Sequence, residues 1–146
     1  MLNFQTFMDL DSFGRLYNWY AVDNSSGRYI CPEGWHVPTK DEYTVLIAFL
    51  GGTSVAGGKL KETGTEYWNS PNTVSDNASG FNARGSGFRT SMSGNYSGRK
   101  YFSYSWTNSS LNNINAYFQE LRYSTAGNVS NSASKKYGFS VRCLED

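Results

Sequence analysis

The chain has 146 residues, with 13 Lys and Arg against 12 Asp and Glu, so a net charge of +1 gives no bulk electrostatic basis for binding nucleic acid or an anionic membrane. Charged residues are only 17% while aromatics reach 16%, alongside 15 Gly, 20 Ser and 14 Asn, so polarity comes from neutral side chains and long helices are not expected to dominate. No run approaches the roughly 18 apolar residues that a membrane span requires, and the length suits one β-rich domain of about 100–200 residues.

In chain order, Met1 to Leu10 lacks the basic head and apolar stretch of a signal peptide. Arg15 to Val22 is aromatic and β-favouring and predicts a strand, closed by the turn-rich Asp23-Asn24-Ser25-Ser26-Gly27. Cys31 and Cys143 leave two readings open, a structural disulfide or two separate buried thiols. The disulfide is preferred, and closing about 110 residues it would contribute on the order of 4 kcal/mol in the chain-entropy model. Two thiols and the single histidine, His36, do not make a four-ligand zinc site.

Pro38-Thr39-Lys40-Asp41-Glu42 carries a capping box and predicts a helix start. Tyr43, Leu46, Ile47 and Leu50 form its apolar face, and Gly51-Gly52 supplies the stop. A shorter helix is expected around Ala56 to Lys61, weakened by Gly57 and Gly58. From residue 51 to residue 100, ordered loops pinned by Trp68, Phe81 and Phe88 are expected. Tyr101 to Trp106, Tyr117 to Tyr123 and Tyr137 to Leu144 alternate, and are expected to be three paired strands.

Four segments carry a resemblance: Gly14-Arg15-Leu16-Tyr17-Asn18-Trp19-Tyr20-Ala21-Val22, Cys31-Pro32-Glu33-Gly34-Trp35-His36-Val37-Pro38-Thr39, Gly57-Gly58-Lys59-Leu60-Lys61-Glu62 and Gly138-Phe139-Ser140-Val141-Arg142-Cys143. Together they resemble the Fibrobacter succinogenes major paralogous domain family. The resemblance implies an α+β domain over 13–146 with a C-type-lectin-like fold of the formylglycine-generating-enzyme type. That means a small twisted antiparallel sheet, one or two short helices and extensive ordered loops. Its N- and C-terminal strands would be adjacent, bringing Cys31 towards Cys143. Residues 1–12 match nothing in the pattern and are expected to be an arm or the remnant of a longer chain.

No catalytic set emerges, and no enzyme activity is expected. The formylglycine-generating branch uses paired redox cysteines, whereas each cysteine here lies inside a family anchor. His36 sits in Gly34-Trp35-His36-Val37-Pro38, where strand geometry would aim it at packed neighbours. The adjacent carboxylates Asp41/Glu42 and Glu145/Asp146 do not form a glycosidase-type pair. Trp106-Thr107-Asn108 offers no carboxylate to a calcium ion, and no cofactor is expected.

The segment from Ser103 to Ser134 combines Ser and Asn with Tyr and Trp, the inventory of adaptable paratopes, and it also suits sugars. By similarity to the variable proteins of diversity-generating retroelements, ligand-binding residues are expected at Tyr104, Trp106, Asn108, Asn112, Asn113, Asn115 and Tyr117. The competing reading, that the alternating rings are core, is strongest for Trp106 and Phe118. The expected function is a recognition module for a glycan or surface protein, placed outside a bacterium, on its surface or on a virion. The alternative is an assembly domain of a virion or fibre, with its aromatic face buried against copies of itself or a neighbour.

Overall fold

Helix α1, Lys40–Phe49, starts where the sequence places its cap: Thr39 Oγ1 accepts from the Glu42 N–H at 3.2 Å while the Glu42 carboxylate accepts from the Thr39 N–H at 2.8 Å. Tyr43, Ile47 and Leu50 are buried beneath it, and Gly51 and Gly52, both at positive φ, end it. The computed structural model describes residues 10–27 and 29–146. Most of the expected N-terminal arm, residues 1–9, lies outside the described residues. Ser12, at its end, is held through its carbonyl by Arg84 Nη1.

Short helix α2, Ala56–Leu60, forms despite its glycines because they are needed for close packing. A Cβ at Gly57 would collide with the Gly127 carbonyl oxygen, and one at Gly58 with that of Val74. The sheet that organises the domain is antiparallel, in the order β4 (Phe102–Ser110), β5 (Asn115–Arg122), β6 (Asn128–Ser134). Two-stranded pairs join β1 (Trp35–His36) to β7 (Leu144–Glu145) and β2 (Phe88–Arg89) to β3 (Tyr96–Ser97). The chain is thus α+β and mostly β.

Two cores flank the main sheet. Trp19, Val22, Val37, Trp106, Phe118 and Phe139 fill one, and Ile47, Leu50, Leu60, Trp68 and Leu121 fill the other. Phe118 and Leu121 are three apart on β5, so the pleat sends them to opposite faces. Loop order between the helices and β4 comes partly from Trp68, whose Nε1 donates to the Ala83 carbonyl at 2.8 Å. Lys61 is also fully buried and donates to the carbonyls of Thr73, Arg122 and Thr125 at 3.1, 2.9 and 2.8 Å. Its three N–H groups are thereby satisfied. Phe81 and Phe88 are only partly buried.

Two expected strands are corrected. Within 15–22 only Tyr17 pairs, with Phe139, and Trp19–Ala21 is a 3-10 turn. Asn18 accounts for the change: its side chain accepts from the Ala21 N–H at 3.2 Å, a local bond that competes with a ladder. The segment 137–144 is not the third strand either. Gly138 pairs with Arg89, Phe139 with Tyr17 and Ser140 with Ser105, each residue reaching a different neighbour, and only Leu144 joins a strand. The third strand is β6, whose Asn and Ser have weak β-propensity and gave no signal.

Cys31 and Cys143 form a disulfide with Cα atoms 5.8 Å apart, across 112 residues of chain. It lies beside the β1–β7 pair, so the terminal segments are adjacent as expected.

Candidate functional site

Along β5, alternation puts Asn115, Tyr117, Gln119 and Leu121 on one face of the sheet. Their cross-strand partners on β6, Ser134, Ser132, Ser130 and Asn128, point the same way. Helix α1 lies on this face: Ile47 and Leu50 pack with Leu121, and Lys40 Nζ sits 4.3 Å from the Tyr117 ring centroid. The helix covers only part of it. A groove of about 190 Å³ remains between Thr44, Ile47 and Ala48 on α1 and Gln119, Asn128 and Ser130 on the sheet. Its end is closed by Gly52 and Thr53, and the Thr53 carbonyl accepts from the Asn128 N–H at 2.8 Å.

The chemistry of the groove is neutral and incomplete. Gln119 and Asn128 are each only 5% exposed. Gln119 Nε2 donates to Ser130 Oγ at 3.3 Å, but Gln119 Oε1 and Asn128 Nδ2 have no hydrogen-bond partner among the described residues. One is an acceptor and the other a donor, and leaving such groups unpaired costs about 1–3 kcal/mol each. Among the described residues, none of the lining side chains is charged.

The residues singled out from sequence divide between the two faces. Asn115 and Tyr117 are half-buried on the groove face. Asn113 is exposed in the β4–β5 hairpin, while Asn112 is exposed but occupied, its Oδ1 accepting from the N–H groups of Ile114 and Asn115 at 2.9 and 2.8 Å. Asn108 is half-buried, with its N–H donated to the Pro38 carbonyl. Tyr104 and Trp106 require correction, because they belong to the aromatic core on the opposite face. Trp106 is 0% exposed, and its Nε1 donates to the Tyr17 carbonyl at 2.8 Å. Tyr104 lies 5.2 Å from Phe88 and 5.1 Å from both Phe118 and Phe139, and burial, then the Glu120 charge, pushes its hydroxyl up to about 12. Large rings in so small a sheet are needed inside.

Sequence reasoning missed Gln119, Asn128, Ser130 and Thr44. Extending the alternation from Tyr117 would have found Gln119, but β6 had no pattern to extend.

His36 is also corrected. It does not face packed neighbours. Its Nδ1 lies 2.6 Å from Asp146 Oδ1 and its Nε2 3.0 Å from Glu42 Oε1. One carboxylate from each adjacent pair noted in the sequence is therefore brought to the same imidazole. Two acceptors call for two donors, the protonated form, and the Asp146 hydrogen bond followed by that of Glu42 raises the His36 pKa above its ordinary value. The clasp ties the first turn of α1 to the C-terminal residue.

The profile described as the Fibrobacter succinogenes major domain matches residues 4–145. No curated protein and no solved structure matches the chain.

Proposed function

The chain belongs to the Fibrobacter succinogenes major domain family, and from that premise we propose that it is a non-enzymatic recognition module binding a glycan or protein ligand at a bacterial surface or on a virion. The observation that carries the reading is the groove face. Asn115, Tyr117 and Gln119 stand beside Ser130, Ser132 and Ser134, neutral groups that exchange hydrogen bonds with a neutral partner around one half-buried ring. Its small antiparallel sheets, short helices, ordered loops and adjacent termini are read here as a C-type-lectin-like fold. The Cys31–Cys143 disulfide fits an oxidising, extracellular setting. Among the described residues no helix is long and apolar enough to cross a membrane.

The test is a glycan array and a panel of surface proteins probed with the wild-type chain, Tyr117→Ala and Asn113→Ala. Ligand capture that weakens in either variant supports the reading, and wild-type silence across both panels counts against it. The assembly reading rests on another observation: Val45 and Phe49, one turn apart on α1, are 70% and 85% exposed. Sedimentation of the chain as a stable oligomer dispersed by Phe49→Ser would favour it.

A further inference from the structure

We propose that the groove between α1 and β6 is an acetamido site, taking the N-acetyl group of an N-acetylated hexose in a surface polysaccharide. The inference rests on the recognition reading above and names its ligand class.

Three features of the groove match three features of that group. Gln119 Oε1 is a buried acceptor without a donor, and an acetamido N–H supplies one. Asn128 Nδ2 is a buried donor without an acceptor, and the acetamido carbonyl supplies one. Gln119 pairs with Ser130 and Asn128 pairs with Leu121, so the two amides are diagonal neighbours on one face, about 7–8 Å apart at the backbone, and both residues line the groove; their orphan atoms are closed to solvent, so each amide turns about its side-chain bonds to meet a planar group held between them. The third feature is Ile47 and Ala48, which give the methyl an apolar wall.

Size and charge narrow the choice further. About 190 Å³ corresponds to roughly six waters, below the volume of a drug-sized pocket, so it holds a substituent and the edge of the ring that bears it. The remainder of the sugar would lie along the face towards Ser132 and Tyr117. A carboxylate or phosphate would meet the Gln119 oxygen and find no cation in the lining. An unsubstituted hexose could reach the amides through hydroxyls but would leave the apolar wall unmatched.

The test is an NMR titration of the full chain, following the side-chain amide signals of Gln119 and Asn128. The probes are N-acetylglucosamine, N-acetylgalactosamine, glucose, glucosamine and an acetyl-lysine peptide, which presents the same group on a protein. At least one N-acetylated sugar is expected to shift both amides and bind at least roughly tenfold more tightly than glucose or glucosamine, because a site built for a hydrogen-bonding group rejects analogues lacking it. Ala48→Trp, at an exposed helix position, should fill the groove and abolish this binding while leaving the melting temperature in place.

Equal binding of glucose, silence of both N-acetylated sugars, survival of binding in Ala48→Trp, or tighter binding of the peptide would each overturn the proposal. An array ligand lost in Tyr117→Ala but indifferent to Ala48→Trp would remove the acetamido site and leave the recognition module standing. The absence of any ligand would remove both.

Discussion

The two faces of the β4–β5–β6 sheet are made by the same three strands and do opposite things. On one, Trp106 and Phe139 have ring centroids 4.3 Å apart, Phe118 lies 4.8 Å from Phe139, and Tyr104 is ringed by Phe88, Phe118 and Phe139. On the other, Tyr117 is the aromatic member of a row made of Asn115, Gln119 and Leu121 beside the serines and Asn128 of β6, and two buried amide atoms are left without partners among the described residues. An excess of rings, Ser and Asn that reads in sequence as one sticky surface is therefore two populations. Parity along the strand separates them: the rings at even positions 104, 106 and 118 fill the aromatic core, while the odd positions of β5 and their partners on β6 seat α1 through Leu121 and leave a neutral groove beside it.

The largest expected effect falls on the aromatic face. Trp106→Ala should cost about 3–5 kcal/mol by opening a cavity, and it also removes one of the two donors to the Tyr17 carbonyl, which keeps the Phe139 N–H, so urea unfolding would show a large loss of stability. A near-neutral result would break the division between the faces, and any binding defect in this variant reports unfolding first. Removing the covalent tie beside the same core, with Cys31→Ala and Cys143→Ala together, should cost about 2–5 kcal/mol on the same assay. The groove face should behave in the contrary way. Gln119→Leu removes an acceptor that has no donor, so its stability change should stay within about 1 kcal/mol or be favourable, while ligand binding weakens. A loss as large as that of Trp106→Ala would mean that the groove is packing rather than site.

How much of this was readable in the chain depended on how local the physics was. The Thr39/Glu42 capping box and the Tyr43, Ile47, Leu50 stripe are decided within a few residues, and α1 stands where they place it. The disulfide is one of two readings that the chain leaves open, and the pairing of β1 with β7 brings its two cysteines together. By contrast, 15–22 and 137–144 look like strands by composition, but Asn18 diverts the first into a turn and the second is shared among Arg89, Tyr17 and Ser105. At the site, composition makes the hairpin legible but does not sort its faces: Tyr104 and Trp106 resemble Tyr117 in kind yet face the other way, and Gln119, which follows Tyr117 in register, carries no aromatic signal. Asn128 and Ser130 were invisible because β6 is a strand only through its pairing with β5 and the Thr53–Asn128 bond.

The smallest expected effect is a pH dependence confined to the groove side, because the His36 clasp holds the start of α1, which forms the groove wall. His36 has its pKa raised above 6.5, first by Asp146 and then by Glu42, so its contribution is fully present below the unfolded value and is lost as pH rises through the folded one. Glu42 runs in the other direction. Its pKa is lowered from 4.5, first by the Thr39 N–H, after that and against the opposing effect of burial by the His36 hydrogen bond, so its contribution holds above the unfolded value and fades as pH falls through the folded one. Both contributions coexist between the lowered Glu42 pKa and the raised His36 pKa. The His36 side chain is 29% exposed and Asp146 61%, so screening keeps the effect small. The difference in melting temperature between wild type and His36→Asn should therefore shrink as pH is raised from about 6 to about 9. Over the same range the NMR signal of the buried Trp106 indole N–H, resolved from those of Trp19, Trp35 and Trp68, should hold steady below the melt, since Asp146 and Glu42 meet His36 away from the aromatic face. A difference that stays constant with pH would show that His36 holds α1 by shape alone, and a change at Trp106 would show that the two faces are coupled.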